Sequence, residues 1–214
     1  LGLGAGAATV LARRTWRGAA RDADEIEAAT GLPVYAGIPH SPRQEELERE
    51  ARRSSSAHAG PLAALAPDDP AVEQLRGLRT MLHFALADGR TKVVALSSPA
   101  PGAGKSFVCM YLAHLLAGAG WKVLLVDADL RRGQLHRHFG LEGEPGLAEL
   151  IAGAVAPEEA IRTTAFGNLS LLPAGRVPDS PAELLHSKNL KLVLEDASRR
   201  YDLVIVDSPP VLAV

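Results

Sequence analysis

Cysteine occurs once in the 214 residues, at Cys109, which excludes an intrachain disulfide and a cysteine-based zinc or iron–sulfur centre within one chain. Aromatic residues make up only 4% and the formal net charge is −2 with no basic stripe, so neither stacking platforms nor phosphate-backbone complementarity for nucleic acid is provided. His136 and His138 straddle Arg137 but have no neighbouring carboxylate or cysteine that would make a metal site of them. No apolar run reaches the roughly 20 residues of a bilayer span. The longest candidate, residues 1–12, is apolar and rich in glycine and alanine, with Arg13, Arg14, Arg17 and Arg21 following it around Trp16. Basic residues after the apolar stretch oppose a signal peptide. They match a helix leaving a membrane toward a positively charged cytoplasmic side. A soluble Gly/Ala-rich segment is the alternative. There is no initiator methionine, and both ends read as cut.

What is present is a strand–loop–helix unit. Lys92 to Leu96 forms an apolar strand, Ser97 to Ser106 a loop containing Pro101-Gly102-Ala103-Gly104-Lys105-Ser106, and Ser106 to Ala117 a helix ending near Gly118 and Gly120. Glycines at 102 and 104 let backbone N–H groups close on phosphate oxygens, and the helix amino terminus adds positive partial charge. Lys105 supplies a full charge for the β- and γ-phosphates, and the Ser106 hydroxyl suits magnesium. Pro99 stands where the usual G-x-x-x-x-G-K-[ST] pattern has its first glycine, so the loop alone could be an ordinary turn.

Two further apolar runs, Val123 to Val126 and Leu203 to Val206, end in Asp127-Ala128-Asp129-Leu130-Arg131 and Asp207-Ser208-Pro209-Pro210. Their length and branching suit buried parallel strands, which deliver both acidic ends to the carboxyl edge of the sheet. One carboxylate of Asp127 and Asp129 can hold magnesium while the other faces a substrate; alternatively, Asp129 caps the following turn. Phosphoryl transfer needs positioning, charge neutralisation and a carboxylate near the attacking oxygen, and these residues can supply all three.

Alternating strands and helices predict a doubly wound, mostly parallel α/β sheet. Short helices are expected at Leu147 to Ile151 and Glu158 to Ile161, a strand at Leu169 to Leu172, and a helix at Leu190 to Arg199. Asp22 or Asp24 caps a short helix stopped by Gly31 and Pro33, and Leu32 to Ile38 reads as a strand. Residues 41–70 are charged and turn-rich, as a flexible linker would be, with room for a short helix. Leu75, Leu78, Leu82 and Ala85 recur at helical spacing and should face the core, and Glu73 and Arg76 fall on another face.

The chain resembles the bacterial tyrosine kinases (BY-kinases), and more narrowly their Wzc-like members, in which a polysaccharide co-polymerase and an autokinase share one polypeptide. The resemblance runs through residues 27–39, Leu75 to Thr80, the glycine loop, Asp127 to Arg131, Pro181 to Leu185 and Asp207 to Val214. It implies a P-loop NTPase fold of the deviant Walker type shared with MinD and ParA, incomplete at its carboxyl end. Walker A falls on Pro101 to Phe107, Walker A′ on Asp127-x-Asp129-x-Arg131 and Walker B on Asp207. The resemblance assigns ATP binding to Pro101, Gly102, Ala103, Gly104, Lys105, Ser106, Phe107 and Arg131, and metal to Ser106, Asp127 and Asp207. Catalysis goes to Lys105, Asp127, Asp129 and Asp207, with Asp127 or Asp129 as base.

Glu73-x-x-Arg76-x-x-Arg79 matches a motif through which the family assembles rings, although by local physics it is also an ordinary solvated charge pair. Further implications are a membrane-helix end at residues 1–16, a juxtamembrane segment at 17–40 and a kinase domain at 71–214 in the cytoplasm under the bacterial inner membrane. ATP and Mg2+, polysaccharide export machinery and a cognate phosphatase are the implied cofactors and partners; nucleic acid is not among them. Phosphate acceptors would be tyrosines of a carboxyl-terminal cluster on a neighbouring subunit. Ala100 occupies the position where MinD- and ParA-type ATPases carry a signature lysine, which counts against an ATPase switch. A non-catalytic nucleotide-binding scaffold is the other alternative. Pro178-x-x-Pro181-x-Glu183-Leu184-Leu185 matches a family stretch with no evident mechanism, beyond Pro181 starting a helix that Ser180 would cap.

Overall fold

Apolar runs without helical spacing build a five-stranded sheet: β1 (Val93–Leu96), β2 (Val123–Asp127), β3 (Arg162–Thr163), β4 (Leu169–Leu172) and β5 (Leu203–Asp207). The computed structural model describes residues 22–53, 66–87, 89 and 92–211. The strands lie in the order β1-β5-β2-β4-β3, all neighbours parallel except β3 against β4. The expected mostly parallel α/β sheet is what forms.

Nine helices are described: α1 (Ala23–Thr30), α2 (Pro42–Arg53), α3 (Pro70–Ala85), α4 (Lys105–Gly118), α5 (Leu135–Phe139), α6 (Leu147–Ile151), α7 (Pro157–Ala160), α8 (Pro181–Leu185) and α9 (Lys188–Arg200). Period-two alternation splits the strand residues between two cores. Val123, Leu125, Leu203 and Ile205 pack with α3 and α4, while Leu124, Val126, Val204 and Val206 pack with α6 and α9. The same alternation carries on to the strand ends. Asp127 follows Leu125, and Asp207 follows Ile205, on the face covered by the glycine-loop helix α4.

Residues 1–37 and 38–214 form two separate compact units. In the first, Asp22 accepts a hydrogen bond from Glu25 N at 2.9 Å and caps α1, and Gly31 ends it in the left-handed conformation. No strand forms at Leu32 to Ile38: prolines at 33 and 39 bracket it, and Val34 N donates to the Glu27 side chain at 2.6 Å rather than to a neighbouring strand. The predicted membrane-helix end at 1–16 lies outside the described residues. Among those described, no helix is long and apolar enough to cross a membrane.

The stretch read as a flexible linker contains the short helix it had room for. Residues 42–53 form α2, whose Gln44 and Leu47 are buried, and Gln44 is hydrogen-bonded by the buried Tyr111 hydroxyl of α4. Asp69, at the other end of that stretch, caps α3 by accepting from Ala71 N at 2.8 Å and from the Ser41 hydroxyl at 2.7 Å. Two apolar or amide contacts on an otherwise charged helix are enough to dock it. On α3, Leu75 is buried and Leu78, Leu82 and Leu86 pack against the core. Ala85, expected there, is exposed, because the stripe advances by four residues to Leu86. Pro181 does begin α8, but Ser180 makes no side-chain capping bond.

Leu125 is fully buried in the central strand. Leu125→Ala should cost about 2–5 kcal/mol through lost transfer energy and a residual cavity, read as a lowered urea midpoint with an unchanged m-value.

Candidate functional site

The glycine loop runs from the end of β1 into α4. Gly102 and Gly104 have φ of 78° and 82°, which side-chain-bearing residues rarely adopt. Gly104 is the N-cap of α4 and brings no side-chain cap, so the first-turn N–H groups stay open to an anion. Ser106 is exposed in that first turn. The Lys105 side chain turns back over the sheet edge to form an ion pair with Asp207, both ends nearly inaccessible to water.

Asp207 and Asp127 are in direct register on adjacent parallel strands, and their relative exposures are 2% and 1%. Two buried carboxylates side by side repel, and only one has a lysine. The other is held by backbone: Asp127 Oδ2 accepts from Leu135 N at 3.0 Å and Oδ1 from Asp129 N at 3.3 Å. Burial, opposed by these hydrogen bonds but reinforced by the charge of Asp207, pushes the Asp127 carboxyl up to about 7. Gly133 is what permits the close turn, since a Cβ there would lie 2.3 Å from Ala174 Cβ and 2.9 Å from Asp127 Oδ2. Ser106, Asp127 and Asp207 are all hard oxygen donors of the kind magnesium selects, and the loop above them is an open anion cradle, so the residues fit both groups.

Asp129 lies past the end of β2 and is half-buried. Its Oδ1 accepts from Arg131 N at 3.3 Å and Arg132 N at 3.0 Å, so it does cap the following turn. It also lines a 540 Å³ cleft together with Pro101, Arg131, Arg132, α8 residues and Pro209, Pro210 and Val211. A second cleft of 340 Å³ lies between the loop, through Gly102, Ala103, Gly104 and Phe107, and the Ile38–Glu45 segment. Of the expected ATP-binding residues, Pro101 and Arg131 line the first cleft and Gly102, Ala103, Gly104 and Phe107 the second, whereas Lys105 and Ser106 line neither. Glu73, Arg76 and Arg79 are not at this site. Glu73 and Arg76 form an ion pair on α3, and Arg79 is half-buried.

Cys109 donates its thiol to Asp207 Oδ1 at 3.6 Å. Burial and the Asp207 charge push it far above the usual thiol range, so it stays protonated. Its spacing of four from Lys105 on one helix was the available signal. Arg132 and the Pro209-Pro210 wall had no signal of their own in the sequence.

The AAA domain family matches residues 91–214. The tyrosine-protein kinase ptk of Acinetobacter johnsonii is 43% identical over 209 residues, covering 98% of this chain and 28% of the relative. The chain thus spans less than a third of the length of such curated relatives. Among solved structures, the BceF tyrosine kinase domain is 47% identical, with a TM-score of 0.82 over 90% of this chain and 77% of that one. The kinase domain of the Escherichia coli tyrosine kinase ETK is 39% identical, with a TM-score of 0.81 over 90% and 75%. More distantly, the septum site-determining protein MinD of Pyrococcus horikoshii, complexed with Mg-ADP, is 30% identical with a TM-score of 0.50 over 56% and 49%.

Folded Asp127 is pushed up to about 7, whereas the unfolded carboxyl titrates at its ordinary value near 3.8. Between these values the native state binds more protons, so stability without metal should fall as pH rises through that window, by on the order of a few kcal/mol. Asp127→Asn should flatten the slope between about pH 4 and 7, read by urea denaturation.

Proposed function

The chain belongs to the bacterial tyrosine-kinase family, and on that premise we propose that it is the catalytic part of an ATP- and magnesium-dependent protein-tyrosine autokinase. The observation that carries the reading is the buried Lys105–Asp207 pair beside Asp127, under an uncapped helix amino terminus. The loop N–H groups and Lys105 bind the β- and γ-phosphates of ATP, with Pro101, Phe107 and Arg131 flanking. Lys105 exchanges Asp207 for phosphate oxygen, which frees Asp207 to act with Asp127 and Ser106 as a metal ligand. Magnesium, when bound, neutralises charge on the phosphates.

The acceptor tyrosyl oxygen attacks the γ-phosphorus as the bond to the bridging oxygen of ADP breaks, and the tyrosyl proton passes to a carboxylate. Between the two candidates, Asp129 is the better base. It lines an open cleft, whereas Asp127 is buried and accepts backbone hydrogen bonds on both oxygens.

The acceptors are tyrosines of a carboxyl-terminal cluster on a neighbouring subunit. Subunits assemble through α3, where Glu73, Arg76, Thr80 and Phe84 follow at spacings of three and four, and Phe84 is 71% exposed. The same reading has the kinase domain on the cytoplasmic side of the bacterial inner membrane, controlling export or chain length of a surface polysaccharide and reset by a phosphatase. The likeness to MinD keeps an ATPase switch as the second reading, although Ala100 departs from the lysine such switches carry; a nucleotide-binding scaffold is the third.

Full-length protein incubated with ATP and magnesium should acquire clustered phosphotyrosine, mapped by mass spectrometry, and Lys105→Met should acquire none. Asp129→Asn should slow phosphotyrosine formation by about 10²–10⁴-fold with the KM for ATP little changed. Hydrolysis without phosphotyrosine would assign the ATPase switch, and binding without turnover the scaffold.

A further inference from the structure

The 540 Å³ cleft beside Asp129 has lining residues beyond Pro101 and Arg131 of the nucleotide-binding set. Its size lies within the roughly 300–1,000 Å³ of small-ligand sites. Part of the lining is apolar: Pro181, Ala182 and Leu185 of α8, and Pro209 and Pro210 after β5. From the Pro181-x-Glu183-Leu184-Leu185 stretch, Pro181 and Leu185 are among them. Another part is cationic, with Arg131 and Arg132 on the turn that Asp129 caps, and His186 also lines the cleft.

Both arginines are exposed, and among the described residues neither guanidinium is paired with a carboxylate. Elsewhere Arg43, Arg49, Arg76, Arg176 and Arg200 have acidic partners, whereas Arg79, Arg137, Arg162 and Arg199, like these two, form no ion pair among the described residues. The only acidic group lining the cleft is Asp129, whose Oδ1 is taken by backbone N–H groups of that same turn.

Resting on the kinase reading, we infer that this cleft selects its acceptor: it takes a tyrosine flanked by carboxylates in an acidic peptide segment. The proline and leucine wall packs the ring, Asp129 meets the phenolic oxygen, and Arg131 and Arg132 pair with the flanking acidic side chains. Arg132 is the specificity-determining residue of the two, because Arg131 also belongs to the nucleotide-binding set. Lysine neighbours would meet two guanidinium groups of like charge, a repulsive element that excludes the wrong segment as firmly as attraction admits the right one.

The test offers the full-length kinase three peptides of one frame, each with a single tyrosine flanked on both sides by glutamate, glutamine or lysine. The wild type should phosphorylate them in that order of kcat/KM, each step being roughly three- to tenfold, as one or two half-exposed ion pairs give. Arg132→Glu should invert the order, and Arg132→Lys should keep it. A merely damaged enzyme would lose all three rates together. Equal rates on the three peptides, an order that survives Arg132→Glu, or phosphotyrosine on the protein itself with none on any peptide would overturn the inference while leaving the kinase standing. No phosphotyrosine on either protein or peptide removes the kinase reading, and the inference with it.

Discussion

One ion pair organises the site. Lys105 and Asp207 are 102 residues apart in sequence and meet below the water-accessible surface at the carboxyl edge of the sheet. Breaking such a pair by removing one partner strands a buried charge, at a cost of about 3–5 kcal/mol. Here the lysine also neutralises one of two carboxylates that the strand register brings side by side. Without it, both Asp127 and Asp207 would be buried with no cationic partner. On the proposed reading, ligand binding would exchange these charges: phosphate for carboxylate at the lysine, metal for lysine and proton at the aspartates.

The surrounding elements keep that exchange local. The Cys109 thiol donates to the same Asp207 oxygen that pairs with Lys105, so the carboxylate retains a neutral donor when the lysine moves. Backbone N–H groups of the turn after β2 fix Asp127, and Gly133 allows that turn to approach. Beyond β5 the chain is tied to the glycine loop's own strand by Ser208 N and Oγ donating to Leu96 O at 3.1 and 2.8 Å and by Val211 N donating to Ser98 O at 2.9 Å. A shift in the loop would be felt directly by Pro209 and Pro210, which line the cleft beside Asp129. Docking of α2 on Tyr111 connects the segment before the domain to the helix that carries Lys105.

The parts of this design that were legible in the sequence are those written in contiguous residues. Apolar strand runs, a glycine loop and terminal aspartates each announce themselves because one short stretch performs one local task, and period-two alternation then brings Asp127 and Asp207 to the same face. What was not legible depends on partners distant in sequence. Helix α2 looks like a solvated, charged linker, yet Gln44 and Leu47 are buried and tie it down. Leu32 to Ile38 has strand-like composition but no neighbour to pair with. Ser180 precedes a helix-starting proline yet caps nothing. The cleft is assembled from the loop, the turn after β2, α8 and the segment after β5, none of which carries its shape alone.

The central claim is that Lys105 leaves Asp207 when nucleotide and metal arrive. A crystal structure with manganese and a non-hydrolysable ATP analogue tests it most directly, because manganese is located by its anomalous signal. The account predicts an anomalous peak bounded by Ser106, Asp127 and Asp207, with Lys105 Nζ moved onto phosphate oxygen. An intact Lys105–Asp207 pair, with nucleotide bound and metal elsewhere, would contradict it.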